Sequence, residues 1–108
     1  MQPANILKIN SLSPGWCDKD HVLLHACFQL LCDFVEKEMR PMDKHLDWSG
    51  TKEIKKARKE IEALYAWWQE FKRTLHEKSY TFKEDNDNYQ MENKMLKRLV
   101  DVRMFLWT

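Results

Sequence analysis

A chain of 108 residues, 44% hydrophobic and 32% charged, has an ordinary globular balance and enough length for one hydrophobic core but not for two. Its net charge of +1 excludes the global positive field of a dedicated nucleic-acid binder, so any anion site is local and nucleic acid is not an expected partner. Two glycines and three prolines leave few places for tight turns, and long elements are expected.

No apolar run approaches the length that crosses a bilayer, and residues 1–13 lack the charged start and continuous apolar stretch of a secretory signal. The expectation is a cytoplasmic protein with no membrane contact. Of three cysteines, Cys27 and Cys32 lie five apart inside an apolar helical pattern and point in different directions, which suits neither a disulfide framework nor a zinc knuckle. With Cys17 they are expected to be reduced, Cys27 and Cys32 as small core residues.

In chain order, residues 1–17 read as an extended arm. Ile6, Leu7, Ile9 and Leu12 are followed by the turn residues Ser13, Pro14 and Gly15. A first helix is predicted over 18–40, capped by Asp18 or Asp20 and stopped by Pro41. Leu23, Leu24, Cys27, Phe28, Leu30, Leu31, Phe34 and Val35 cover more of its circumference than a surface helix needs. The remaining polar residues, His21, His25, Gln29, Asp33 and Glu36, form one narrow stripe.

A second helix is predicted over 51–78, capped by Ser49 or Thr51. Ile54, Ala57, Ile61, Leu64, Trp68, Phe71 and Leu75 alternate steps of three and four, a coiled-coil type of seam. At 1.5 Å per residue it would be about 42 Å long, which implies an elongated bundle, a kink or a partner. Tyr65 and Trp67 lie off the seam and invite a second copy of the chain. The run Glu84, Asp85, Asn86, Asp87 and Asn88 reads as a solvated linker rather than a calcium loop, with Asp87 and Gln90 as a capping box. A third helix is predicted over 88–106. Its seam is Met95, Leu99, Val102 and Leu106, with Leu96, Val100 and Trp107 beside it. The fold expected is all-α, a three-helix bundle with one long helix and an extended arm, assembled into a helical homo-oligomer.

Four constellations could carry function. His21 and His25, at i and i+4, face one side of a helix at chelating distance. Val22, Leu23 and Leu24 between them supply no glutamate base, and the ligand set is incomplete without Asp18 or a distant residue, so no metal or cofactor is expected. The stripe of His21, His25 and Gln29 either forms a hydrogen-bonded seam or lines a ligand cavity. Lys52, Lys55, Lys56, Arg58 and Lys59 crowd the amino end of the second helix, against the preference of the helix dipole. They read as a solvated face or as a phosphate contact. Among the tryptophans, Trp68 reads as core, while Trp48, Trp67 and Trp107 are candidates for contact with a base or a partner protein. No glycine-flanked nucleophile or phosphate loop is present in the sequence, Asp33 and Glu36 offer one carboxylate pair without the second that Arg98 and Asp101 would have to supply, and an enzyme is not expected.

The stretches LLHACFQLLCDFVEKE (23–38), EIEALYAWW (60–68) and MLKRLVDVRMFLWT (95–108) resemble uncharacterised small proteins encoded by tailed bacteriophages. The resemblance touches all three helices and implies an origin, with the bacterial host cytoplasm as location, but no activity. Small phage proteins without catalytic motifs commonly act on the host, some by inhibiting a host protein and some by sequestering nucleotide signals of antiviral defence. The leading expectation is therefore a protein that binds a phosphate-bearing small molecule through Lys52, Lys56 and Arg58, with Trp48 or Trp67 at the base. One alternative is a protein that docks on a host protein through an aromatic helix face. Another is a metal-dependent enzyme using His21 and His25.

Overall fold

The computed structural model describes residues 6–12, 15, 18–39, 52–74 and 82–106, with side chains from 86 onward in the last of these. Three helices make an all-helical bundle, and there is no strand among the described residues. They are α1 (Lys19–Asp33), α2 (Lys52–Thr74) and α3 (Phe82–Asp101). A π-helical segment, Phe34–Met39, continues α1, and a 3₁₀ turn, Arg103–Phe105, follows α3. The molecule is elongated, 46 × 28 × 21 Å, with a radius of gyration of 15.2 Å. A compact chain of this length would have about 13 Å. The excess accommodates α2, whose 23 residues span about 34 Å at 1.5 Å each.

The N-cap of α1 is Asp18, in extended conformation. Its carbonyl accepts the Val22 N–H at 3.0 Å, but its carboxylate caps nothing. Asp20 stands in the first turn, where the helix dipole favours an acid. Ahead of it Gly15 has φ 124°, a backbone conformation that residues with a Cβ rarely adopt. In the π segment hydrogen bonds run from i to i+5, so Phe34 and Met39, five apart, both turn inward and are buried. The sequence pattern predicts an uninterrupted α-helix there and does not signal this widening.

The heptad seam of α2 packs into its own bundle. Ala57, Ile61, Leu64 and Trp68 are buried, and Ile54 and Phe71 are half-buried against the same core. From α1 come Leu24, Phe28, Leu31, Cys32 and Val35; from α3 come Met95 and Leu99, with Val102 just beyond its end. The Trp68 ring stacks on Phe28 (4.7 Å between centroids, 17° between planes) and on Phe71 (5.2 Å, 22°). Helix directions follow from cross-contacts. Trp68 meets Phe28 while Tyr65 OH donates to Glu36 Oε2 at 2.6 Å, so α1 and α2 are antiparallel. Arg98 Nε donates to Glu60 Oε2 at 2.7 Å, and Phe105 shares a groove with Glu53, so α3 is antiparallel to α2 as well.

Two expectations change. The third helix begins at Phe82, not near 88, so the run read as a linker is its first turns and Asp87 and Gln90 form no capping box. An acidic run suits a helix amino terminus because the dipole stabilises it, an effect that outweighs the turn preference of the asparagines. At the other end the α-helical hydrogen bonding stops at Asp101 instead of reaching 106. Tyr65 and Trp67 do not project as unpartnered aromatics. Tyr65 is tied to Glu36, and the half-buried Trp67 stacks on Phe71 (5.1 Å, 23°) and meets Phe28 at 5.4 Å. Residues 40–51 and 75–81 lie outside the described residues, and with them the predicted ends of the first two helices. Trp16, Cys17, Trp48, Tyr80 and Trp107 lie outside them too.

Because Trp68 is 1% exposed and joins both neighbours of α2, replacing it with alanine should cost about 3–5 kcal/mol of stability, read from the urea midpoint at unchanged slope.

Candidate functional site

The polar stripe of α1 is committed to the amino-terminal segment. His25 is 3% exposed and Gln29 7%. His25 Nδ1 lies 2.7 Å from Ser11 Oγ, and its ring stands edge-on to Trp68 at 4.9 Å and 76°. Gln29 Oε1 accepts the Asn10 N–H at 3.0 Å, and its Nε2 donates to Asp33 Oδ1 at 2.9 Å. Steps of four residues thus build a rail on which the turn at Asn10 and Ser11 sits. Burial, helped by the nearby charges of His21 and Lys72, lowers the His25 pKa from 6.5 to about 4.

That shift fixes the sign of a pH effect. Unfolded His25 binds a proton near pH 6.5 and folded His25 only near 4, so stability is full above 6.5 and falls as pH drops toward 4. The loss attributable to this ring should approach about 3 kcal/mol at pH 4, and His25→Gln should remove that component from the difference between melts at pH 7 and pH 4.

His21 and His25 do not act as a pair, since His21 is exposed while His25 is enclosed. His21 belongs instead with Asp18 and Asp20, whose ligand atoms lie within 4.8 Å of one another and of His21. All three are exposed, and the carboxylate of Asp20 already accepts the His21 backbone N–H at 3.0 Å. Such a trio could hold a cation at the surface but leaves most of a coordination shell to water. The bundle is held by its apolar core, so melts with and without a chelator should coincide; a large loss on chelation would assign the trio a structural metal.

The basic run occupies the first two turns of α2. Lys52, Lys55, Lys56 and Lys59 are exposed and, with Glu53, line an open hollow of about 610 Å³. Arg58 turns away from them, its Nη2 3.6 Å from Glu62 Oε1 on the same helix. Lys56 and Lys59 also border a second groove, about 710 Å³, between α2 and the carboxyl end of α3. Ala57 and Ala63 leave room in its wall, Glu53 and Asp101 add acid, and Phe105 and Val102 supply apolar surface. Glu60 also lines it, but the guanidinium of Arg98 binds its carboxylate through two nitrogens and holds its pKa below the usual range.

Of the residues singled out from the sequence, Lys52 and Lys56 come together. Trp67 stands 11 residues beyond Lys56, about 16 Å along the axis, in the aromatic core. The aromatic that shares a groove with Lys56 and Lys59 is Phe105, half-buried in its wall. Its signal in the sequence was faint, one aromatic off the predicted seam, next to its last member Leu106. Cys27 and Cys32 are free thiols; burial raises both, Cys32 to about 11, which disfavours the thiolate. No described helix is long and apolar enough to cross a membrane.

No protein-family model matches the chain, and neither the curated proteins nor the solved structures include a significant match to it.

Proposed function

We propose that this is a non-enzymatic binding protein that holds a phosphate-bearing small molecule of nucleotide type at the amino end of α2. One observation carries the reading: four exposed lysines, with Glu53, line an open hollow, and two of them, Lys56 and Lys59, also border the groove that Phe105 lines. Each hollow falls within the roughly 300–1,000 Å³ of small-ligand sites. Lysine ammonium groups give phosphate charge-assisted hydrogen bonds. A phenyl face offers a base stacking, and the carboxylates of Glu53 and Asp101 accept from its amino group or from ribose hydroxyls. Phe105 thus takes the role that Trp67, in the aromatic core, does not, and Lys55 and Lys59 join Lys52 and Lys56 where Arg58 does not. A bound anion would also relieve the repulsion among lysines that the helix dipole reinforces.

Joined to the resemblance to small phage proteins, the reading becomes counter-defence. A homo-oligomer in the host cytoplasm removes a nucleotide signal without altering it. Neither the His21–His25 enzyme nor host-protein docking through the Trp67 face gains a supporting observation, because His25 and Trp67 are engaged inside the chain.

Calorimetry against cyclic and linear nucleotides tests this, followed by chromatography of the released ligand. Lys52→Glu with Lys56→Glu should weaken binding at least about tenfold, the equivalent of 1.4 kcal/mol, with the melting curve retained. Recovery of a cleaved nucleotide would favour an enzyme. Failure of every nucleotide in the panel would remove the proposal.

A further inference from the structure

The groove between α2 and the carboxyl end of α3 separates its polar groups by sign. Lys52 and Lys55 line only the hollow at the amino end of α2, whereas Asp101 and Phe105 line only the groove. Glu53, Lys56 and Lys59 line both. A ligand that fills the two therefore meets ammonium groups at one end and a carboxylate beside a phenyl ring at the other. Asp101 is exposed and closes α3, at the pole of its own helix that disfavours an acid. Among the described residues no lysine or arginine forms an ion pair with it. Glu60 on the same wall is occupied by Arg98.

What remains for a base is acceptors. Among the described residues the groove wall holds no hydroxyl or carboxamide side chain, and a carboxylate accepts hydrogen bonds without donating any. Its donors, Lys56 and Lys59, are the ones it shares with the hollow, and they serve the phosphates. A base stacked on Phe105 must then offer donors to Asp101. Guanine is built for this, because its N1–H and 2-amino group stand side by side and match the two oxygens of one carboxylate. Adenine and cytosine each set an amino group next to a ring-nitrogen acceptor, and uracil sets its one N–H between two carbonyls. Each of these brings a lone pair against the negative charge. We infer that the site selects guanine nucleotides, with Asp101 as the residue that reads the base and Glu53, which borders both hollows, at the ribose hydroxyls. This rests on the nucleotide reading of the site and adds to it the base and the residue that discriminates it.

Calorimetry of the full chain with the triphosphates of guanosine, inosine, adenosine, cytidine and uridine is the test. GTP should bind at least about tenfold more tightly than ATP, CTP and UTP, the low end for a bidentate base contact. Inosine triphosphate keeps N1–H but lacks the 2-amino donor, and should fall between GTP and ATP. Asp101→Asn should abolish the guanine preference and create one for xanthosine triphosphate, whose 2-carbonyl accepts from the new carboxamide while N1–H donates to its oxygen. Neither misfolding nor a general change of charge produces such an exchange of preference. The side chain is exposed, so the melting curve should be kept, and the base series on the unaltered chain decides independently of how the variant folds. Failure of every nucleotide to bind overturns the inference together with the reading beneath it. Binding indifferent to the base, or a guanine preference that survives Asp101→Asn, overturns the inference alone.

Discussion

The Trp68 indole lies flat on Phe28 of α1 and on Phe71 of its own helix, with the edge of His25 closing a third side. Large rings at these separations combine area burial with favourable stacking geometry, and a ring this well enclosed tolerates little sliding. The register between α1 and α2 is thereby set. From that register follow the dry surroundings of His25, the reach of Tyr65 to Glu36, and the rail that receives Asn10 and Ser11. On the opposite flank the fork between Arg98 and Glu60 aligns α3. Both side chains are about one third exposed, so it selects a register more than it adds stability.

Helix α2 divides its labour along its length. Its carboxyl half carries Leu64, Trp67, Trp68 and Phe71, which hold the bundle together. Its amino half keeps only Ala57 and Ile61 inside and exposes Lys52, Lys55, Lys56 and Lys59. That end is locally frustrated, with like charges three and four residues apart beside the positive pole of the helix. Such conflict persists where something other than folding maintains it. The small residues Ala57 and Ala63 leave the groove open beside the lysines, and Phe105 reaches it only because the 3₁₀ turn redirects the chain after Asp101.

Much of the fold was legible because periodicity is a local signal. The α2 seam, the dense apolar pattern of α1 and the row Met95, Leu99 and Val102 each bury as their spacing implies. Composition misled at the start of α3, where polar residues suggested a linker although acids favour a helix amino end. Trp67 shows the limit of a helical wheel, since a step of 100° takes its backbone off the seam but a long, wide ring reaches back to Phe28 and Phe71. In the candidate site the lysines could be read directly. Phe105 could not, since it is 49 residues from Lys56 and shares a groove with it only through the antiparallel packing of α2 and α3. The stripe of His25 and Gln29 was visible as polar residues in a buried helix, while its partners, one hydroxyl and one backbone N–H in a turn, carry no pattern of their own.

Those partners give the amino-terminal segment a character of its own. Along residues 6–10 exposure alternates, with Leu7 and Ile9 half-covered and Ile6, Lys8 and Asn10 open to water. Among the described residues its polar attachment to α1 is the pair of bonds at Asn10 and Ser11, worth on the order of 1 kcal/mol each. None of its described residues belongs to the Trp68 stack, so the segment is placed to open locally at a free energy below that of global unfolding. In native-state hydrogen exchange the Asn10 amide would report lift-off of the segment, while amides flanking Trp68 report loss of the whole bundle. The molecule thus carries two separable clocks, one for its edge and one for its core.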